Sequence, residues 1–124
     1  MGKFVVKTTK TGFVFHLKAG NGETIAASEV YTTETACMKG IESVRKNAAD
    51  AKLEDQTAAD AAAVTNPKFE LYADKAGEFR FRLKARNGEI IAVSEGYKAK
   101  ASCLNGIDSV RRNAPDAAVE KAEG

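Results

Sequence analysis

Two cysteines, a single histidine and a run of alternating arginines are the residues of this chain most able to do chemistry. Cys37 is followed at helical spacing by Ile41 and Val44, and Cys103 by Ile107 and Val110. A thiol on an apolar helical stripe, with no His or basic neighbour to hold it as thiolate, behaves as a small buried hydrophobe. The sharper alternatives are a disulfide between the two or a pair of nucleophiles. His16 is the only histidine. A catalytic base needs a second group to orient it, and none is near in sequence, so His16 is predicted to be a solvated surface residue. One His and two Cys far apart have no metal-ligand spacing. Gly20-Asn21-Gly22 marks a hairpin, not the strand-to-helix turn of a phosphate or dinucleotide loop. No catalytic, metal or cofactor site is predicted, and the chain is read as non-enzymatic.

Two surfaces remain as candidates. Arg80, Arg82, Lys84 and Arg86 alternate with Phe79, Phe81, Leu83 and Ala85. On a strand with the apolar set inside, the cations stand about 7 Å apart along the outer face, a spacing that can track a phosphate backbone. Arg45, Lys46, Arg111 and Arg112 add charge at helix ends, where cations also complement the helix dipole. Against nucleic acid, no aromatic residues interleave the stripe for base stacking. The first copy offers only Val14, His16 and Lys18 at matching positions. A solvated sheet face beside Glu70, Glu78 and Glu89 explains the stripe equally well. On that reading the four cations are solvent-exposed, and Arg82→Gln should change stability by no more than about 0.5 kcal/mol. The second surface is the corner Ser28-Glu29-Val30-Tyr31 and its copy Ser94-Glu95-Gly96-Tyr97, each just before a helix. Backbone N–H groups at a helix start can hold an anion, which Glu29 and Glu95 would oppose. The alternative is that Ser closes a turn, Glu supports the first helical turn and Tyr packs over the core.

These residues come in pairs because the chain is duplicated. Lys3 to Ala51 realigns with Lys68 to Ala117 when Glu78 is left unpaired, and 27 of 49 pairs are identical. Self-similarity on this scale means one structural unit used twice. Each copy opens with a strand, Phe4–Lys7 or Phe69–Tyr72. A second strand follows a polar turn, with Phe13, Phe15, Leu17 and Ala19 facing inward in the first copy. Asn21-Gly22 and Asn87-Gly88 then predict a type I′ hairpin. The third strands span Glu23–Ser28, with Ile25 and Ala27 inward, and Glu89–Ser94, with Ile91 and Val93 inward. After Tyr31 and Tyr97 the period changes to that of a helix, predicted over Glu34–Asn47 and Lys100–Asn113. Thr32 or Thr33 can cap the first helix; the second has no such residue. Gly40 and Gly106 in mid-helix imply close packing against the sheet. Asn47 and Asn113 are predicted C-caps, with Pro115 as a stop. Short extended pieces close the copies at Lys52–Glu54 and Ala118–Lys121.

The order of these motifs, found twice, resembles the YegP-like family of small bacterial proteins. The residues that carry the resemblance are Ser28-Glu29-Val30-Tyr31 with Gly40 through Ala48, and Ser94-Glu95-Gly96-Tyr97 with Gly106 through Ala114. The resemblance implies an α+β fold of tandem β3-α-β repeats. They form a single mainly antiparallel sheet with two helices packed on it, and their C-terminal strands are exchanged between repeats. It implies no activity and no catalytic residue.

The domain reading is a first repeat at 1–55, a linker at 56–66 with room for a helical turn, and a second repeat at 67–121, the two sharing one core. A unit of about 50 residues is marginal alone, and joining two sheets hides edges that would recruit other chains. The expected form is therefore a monomer built as a pseudo-dimer. A net charge of +2 names no class of partner. No apolar run approaches the ~20 residues of a membrane span, and Met1-Gly2-Lys3-Phe4 runs straight into strand-like sequence with no signal peptide, so a cytoplasmic location is expected. The leading expectation is a non-enzymatic cytoplasmic binding or accessory module whose partner the sequence does not name, a protein being one candidate. The alternative is a nucleic-acid or polyanion binder using Arg80, Arg82, Lys84 and Arg86.

Overall fold

The computed structural model describes residues 2–57 and 64–121. The first repeat forms β1 (Lys3–Thr8), β2 (Phe13–Lys18), β3 (Thr24–Ala27), α1 (Glu34–Ala48) and β4 (Lys52–Asp55). The second forms β5 (Lys68–Ala73), β6 (Phe79–Lys84), β7 (Ile90–Val93), α2 (Lys100–Asn113), a 3₁₀ turn at Ala114–Asp116 and β8 (Ala118–Lys121). The helical turn expected in the linker falls outside the described residues.

All eight strands join one open sheet in the order β4-β5-β6-β7-β3-β2-β1-β8. The outermost pairs, β4 on β5 and β8 on β1, are parallel, and every other pair is antiparallel. The closing strand of each repeat thus lies against the opening strand of the other. This is the exchange implied by the family resemblance. Each helix also reaches across: α1 touches β2 of its own repeat and β6 and β7 of the other, and α2 touches β6 and β3.

Both helices lie on one face of the sheet. Phe4, Phe15, Phe69 and Phe81 are fully buried there. They pair edge to face, Phe4 with Phe15 at 5.7 Å between centroids and Phe69 with Phe81 at 5.9 Å. Such pairs add about 0.5–1.5 kcal/mol beyond the area they bury. Cys37 and Cys103 are free thiols buried in the same core. Burial pushes both thiols up, Cys103 to about 11, so neither is a thiolate near neutral pH.

Three local expectations change. The Asn-Gly turns are not type I′, because Asn21 and Asn87 do not take positive φ; only Gly22 and Gly88 do, at 87°. Gly22 N–H donates to Ala19 C=O, and Ala19 N–H to Glu23 C=O. This is the longer hairpin loop in which glycine alone carries the left-handed residue. Ala27 and Val93 do not face inward. A bulge after Leu17, and another after Leu83, lets two successive residues face the core, Ile25 with Ala26 and Ile91 with Ala92. Ala27 and Val93 are thereby turned to the far face. Asn47 is no C-cap, since α1 runs on to Ala48 and the Asn47 amide donates back to Ser43 C=O at 2.8 Å. Asn113 is likewise no C-cap, its amide donating to Ser109 C=O at 2.8 Å, but α2 does stop there, two residues before Pro115, which lies within the 3₁₀ turn.

Candidate functional site

The sheet face opposite the helices carries no helix among the described residues. Strand register shows what stands on it. One row crosses all eight strands: Glu54, Glu70, Arg82, Val93, Ala27, His16, Val5 and Glu120, each the cross-strand partner of the next. Partners opposite one another on adjacent strands point to the same side. At about 4.8 Å per strand the row is roughly 34 Å long. The two halves of the row are the same positions in the two repeats, so Glu70 corresponds to Val5 and Arg82 to His16.

The Arg80, Arg82, Lys84 and Arg86 stripe lies on this face, yet it is not the open row of cations expected from sequence. Only Arg86, in the hairpin beyond β6, is exposed. Arg82 Nε lies 2.5 Å from Glu70, Lys84 Nζ 3.4 Å from it, and Arg80 Nε 2.7 Å from Asp74. Glu70 is only 3% exposed. It also accepts from Lys68 at 3.2 Å, and Lys68 in turn reaches Glu54 at 2.8 Å. Burial alone would raise the Glu70 pKa, but the Arg82 and Lys68 hydrogen bonds outweigh it and hold the carboxyl below its ordinary range. Glu54 is held at about 2 by hydrogen bonds from the Gln56 amide, Lys68 and Val64 N–H. Arg82 also lies over the Tyr72 ring at 4.6 Å. Arg82 is therefore not dispensable as expected: removing it strips a buried carboxylate of its nearest cation.

The first repeat keeps the cations and drops the carboxylate. The three groups that surround Glu70 are Lys68, Arg82 and Lys84; their counterparts Lys3, His16 and Lys18 surround Val5. Lys3 has taken Glu120, at 3.1 Å, as Lys68 has taken Glu54. His16 is no solvated residue. It is half-buried, and its Nδ1 is shut away from solvent with no hydrogen-bond partner. Burial, with Lys7 and Lys18 beside it, lowers its pKa, partly offset by Glu95, so the imidazole is neutral near pH 7. Beside it, at the seam between the repeats, a cavity of about 120 Å³ is lined by His16, Thr24, Ala26, Ala27, Val93, Ser94 and Glu95. The seam itself is thin, with Ala27 opposite Val93 as its single ladder pair.

The second Ser-Glu-x-Tyr corner reaches this cavity through Ser94 and Glu95, and both corners are largely occupied by the fold. Ser28 Oγ accepts Phe15 N–H at 2.9 Å and donates to Glu29 C=O at 2.8 Å; Ser94 does the same with Phe81 and Glu95. Tyr31 stacks on Phe15 at 6.3 Å and Tyr97 on Phe81 at 6.5 Å. Each phenol sits over the helical glycine of its own repeat. A Cβ at Gly106 would come within 2.6 Å of Tyr97 Oη, and one at Gly40 closer still to Tyr31 Oη. Thr33 Oγ1 caps α1 by accepting Ala36 N–H. Glu29 and Glu95 are left exposed at the surface.

Sequence reasoning missed three things: the burial of Glu70, the partnerless His16 and the role of the helix-end arginines. Arg111 donates to Ala51 C=O at 2.8 Å, just before β4, and Arg45 to Ala117 C=O, just before β8. Each also lies over a core phenylalanine, Arg45 over Phe4 at 5.6 Å and Arg111 over Phe69 at 5.1 Å. They anchor the exchanged strands. Among the described residues no three His, Cys, Asp or Glu side chains come together as a metal set, and no helix is long and apolar enough to cross a membrane.

Comparison with known proteins agrees with the duplication. A family described as "Domain of unknown function (DUF1508)" matches twice, at residues 9–55 and 74–120. A UPF0339 protein encoded in the 5′ region of the ptx operon of Stutzerimonas stutzeri is 40% identical over 119 residues, covering 95% of this chain and 94% of that one. A UPF0339 protein of Treponema denticola is 71% identical over 52 residues, which is 42% of this chain but 90% of its own length, so one repeat makes up nearly that whole protein. The solution NMR structure of YegP from E. coli, a protein of unknown function, superposes with a TM-score of 0.81 at 36% identity, covering 99% of this chain and 94% of that one. A UPF0339 protein of Shewanella oneidensis gives 0.78 at 33% identity, covering 97% and 90%.

Proposed function

Since this chain belongs to the DUF1508 family, which brings it a fold and no assigned chemistry, we propose from its geometry that it is a non-catalytic binding module whose helix-free sheet face docks an acidic protein surface. One observation carries this. That face gathers eight cations, Lys3, Lys7, Lys18, Lys52, Lys68, Arg80, Arg82 and Lys84, against five carboxylates, Glu54, Glu70, Asp74, Glu95 and Glu120. That excess of three positive charges is larger than the +2 of the whole chain. Val5, Val14, Ala27, Ile90 and Val93 form an apolar band within the cationic rim, the layout of a protein interface. Charge of one sign on a broad face steers an oppositely charged partner and sets orientation. The two buried free thiols suit a cytoplasmic setting.

The alternative reading, single-stranded nucleic acid, shares the cations. It lacks a stacking platform, because among the described residues Tyr72 is the only aromatic ring on the face besides His16, and Arg82 already covers it. Amide chemical-shift mapping tests the two readings together, with octaglutamate and oligo-dT as probes. Shifts on β1, β2, β3 and β7 with octaglutamate, fading as salt rises, are expected. Larger shifts with oligo-dT at equal charge would favour nucleic acid, and shifts confined to the helix side would refute the face.

A further inference from the structure

On the helix side, α1 touches the second repeat as well as its own, and between them lies a cleft of about 260 Å³. One wall is α1, with Ala36, Lys39, Gly40 and Ser43. The other is the β6–β7 hairpin of the second repeat, with Ala85, Asn87, Glu89 and Ile91; Tyr31 also lines the cleft. Pockets for drug-sized ligands start at roughly 300 Å³, so this one suits something smaller. Its polar groups are sorted by wall. Lys39 and Ser43 stand one turn apart on α1, and Tyr31 Oη sits over Gly40 of the same helix. Ser43 Oγ accepts from the Asn47 amide at 3.1 Å, which leaves its own proton to donate. Burial pushes the Tyr31 phenol up, with Cys37, Glu29 and Glu89 adding to the effect, so it too keeps its proton. The α1 wall thus offers three donors, one of them a cation. The hairpin wall offers a carboxylate, Glu89, whose backbone N–H is fixed by Asn87 Oδ1 at 3.0 Å. Among the described residues neither Lys39 nor Glu89 has an ion-pair partner.

We propose that this cleft binds a small zwitterion of amino-acid or dipeptide size. Its carboxylate meets Lys39, Ser43 and Tyr31 on the α1 wall, and its ammonium meets Glu89 on the hairpin wall. Ala36, Ala85 and Ile91 line the space between for a short apolar body. A plain anion would be repelled by Glu89 and a plain cation by Lys39; a molecule carrying both charges makes charge-assisted hydrogen bonds at each end. The walls come from different repeats, so the cleft exists only in the joined fold. The duplication supplies an internal control. By the repeat alignment the counterpart positions keep Tyr97, Gly106, Ser109 and Glu23, but Asn105 stands where the first repeat has Lys39. Without that cation the second place loses its hold on a carboxylate, and one zwitterion per chain is expected.

The experiment is chemical-shift mapping of the whole chain with L-valine and, separately, with L-alanyl-L-alanine, up to about 10 mM, where a site of about 1 mM affinity is nearly full. Saturable shifts are expected at Lys39, Ser43 and Glu89 and in the Tyr31 ring, with Asn105 and Glu23 unmoved. Whichever probe binds more tightly decides between a free amino acid and a dipeptide. N-acetylation or C-amidation of that probe removes one charge and is expected to weaken binding at least about tenfold. Lys39→Gln and Glu89→Gln are expected to do the same, and both residues are exposed, so the variants keep the fold. Absence of saturable shifts with both probes, a blocked probe that binds as well as its parent, or equal shifts at the two clefts overturns the inference.

Discussion

The side chains that decide stability on the helix-free face are a buried carboxylate and its three cations. Glu70 is nearly as buried as the phenylalanines on the opposite face, so its partners are structural. Breaking a buried charge pair from one side leaves the other charge uncompensated. Arg82→Gln is therefore expected to cost about 1–3 kcal/mol, well above an open surface substitution, with Lys68 and Lys84 limiting the damage. Phe81→Ala should cost about 3–5 kcal/mol. Urea unfolding of the two variants checks both; an Arg82→Gln protein as stable as the parent would show that Glu70 does not depend on it. Glu54 carries a pH signature. Its folded pKa of about 2 is depressed, so its contribution is present above the ordinary carboxylate range and is lost as pH falls toward 2. Glu54→Gln should flatten the loss of stability between about pH 5 and 2, and an unchanged acid limb in thermal melts would contradict this.

At the scale of elements, each helix is held to the sheet through a glycine lying beneath a tyrosine. Alanine is the better helix former by about 1 kcal/mol, yet Gly40→Ala should destabilise, because its Cβ would press on Tyr31 Oη and the ring cannot retreat from Phe15. The cost is expected to be about 1–3 kcal/mol. Tyr31→Phe in the same chain should return part of it by removing the hydroxyl. Additive effects in the double-mutant cycle would mean that the two positions do not meet. This contact was half legible in sequence. The repeated mid-helix glycine announced close packing, and the period-two and helical patterns placed every strand and both helices to within two residues. The rest depended on register. The bulges that turn Ala27 and Val93 outward lie where β2 meets β3 and β6 meets β7, and no local pattern marks them. The burial of Glu70 follows from cations on neighbouring strands, so β5 read alone shows only alternation. The lone imidazole became meaningful only when the row paired it with Val5 on one side and with Arg82 by symmetry.

For the whole molecule, duplication has produced a sheet with two different faces. The helix side is built twice from nearly the same parts, and the exchanged strands with Arg45 and Arg111 bind the copies into one core. On the helix-free side the copies have diverged, the second closing its cations on Glu70 and the first leaving them around an apolar centre. The proposed docking role belongs to this diverged face. Retention on immobilised polyglutamate, compared between two variants of equal charge change, tests it most directly. Lys7→Glu with Lys18→Glu alters the helix-free face; Lys46→Glu with Arg112→Glu alters the exposed sides of the two helices. The docking account predicts that the first pair elutes at much lower salt than the parent, and that the second shifts only slightly. Equal shifts for the two pairs would mean that overall charge governs binding, and would contradict a docking role for the helix-free face.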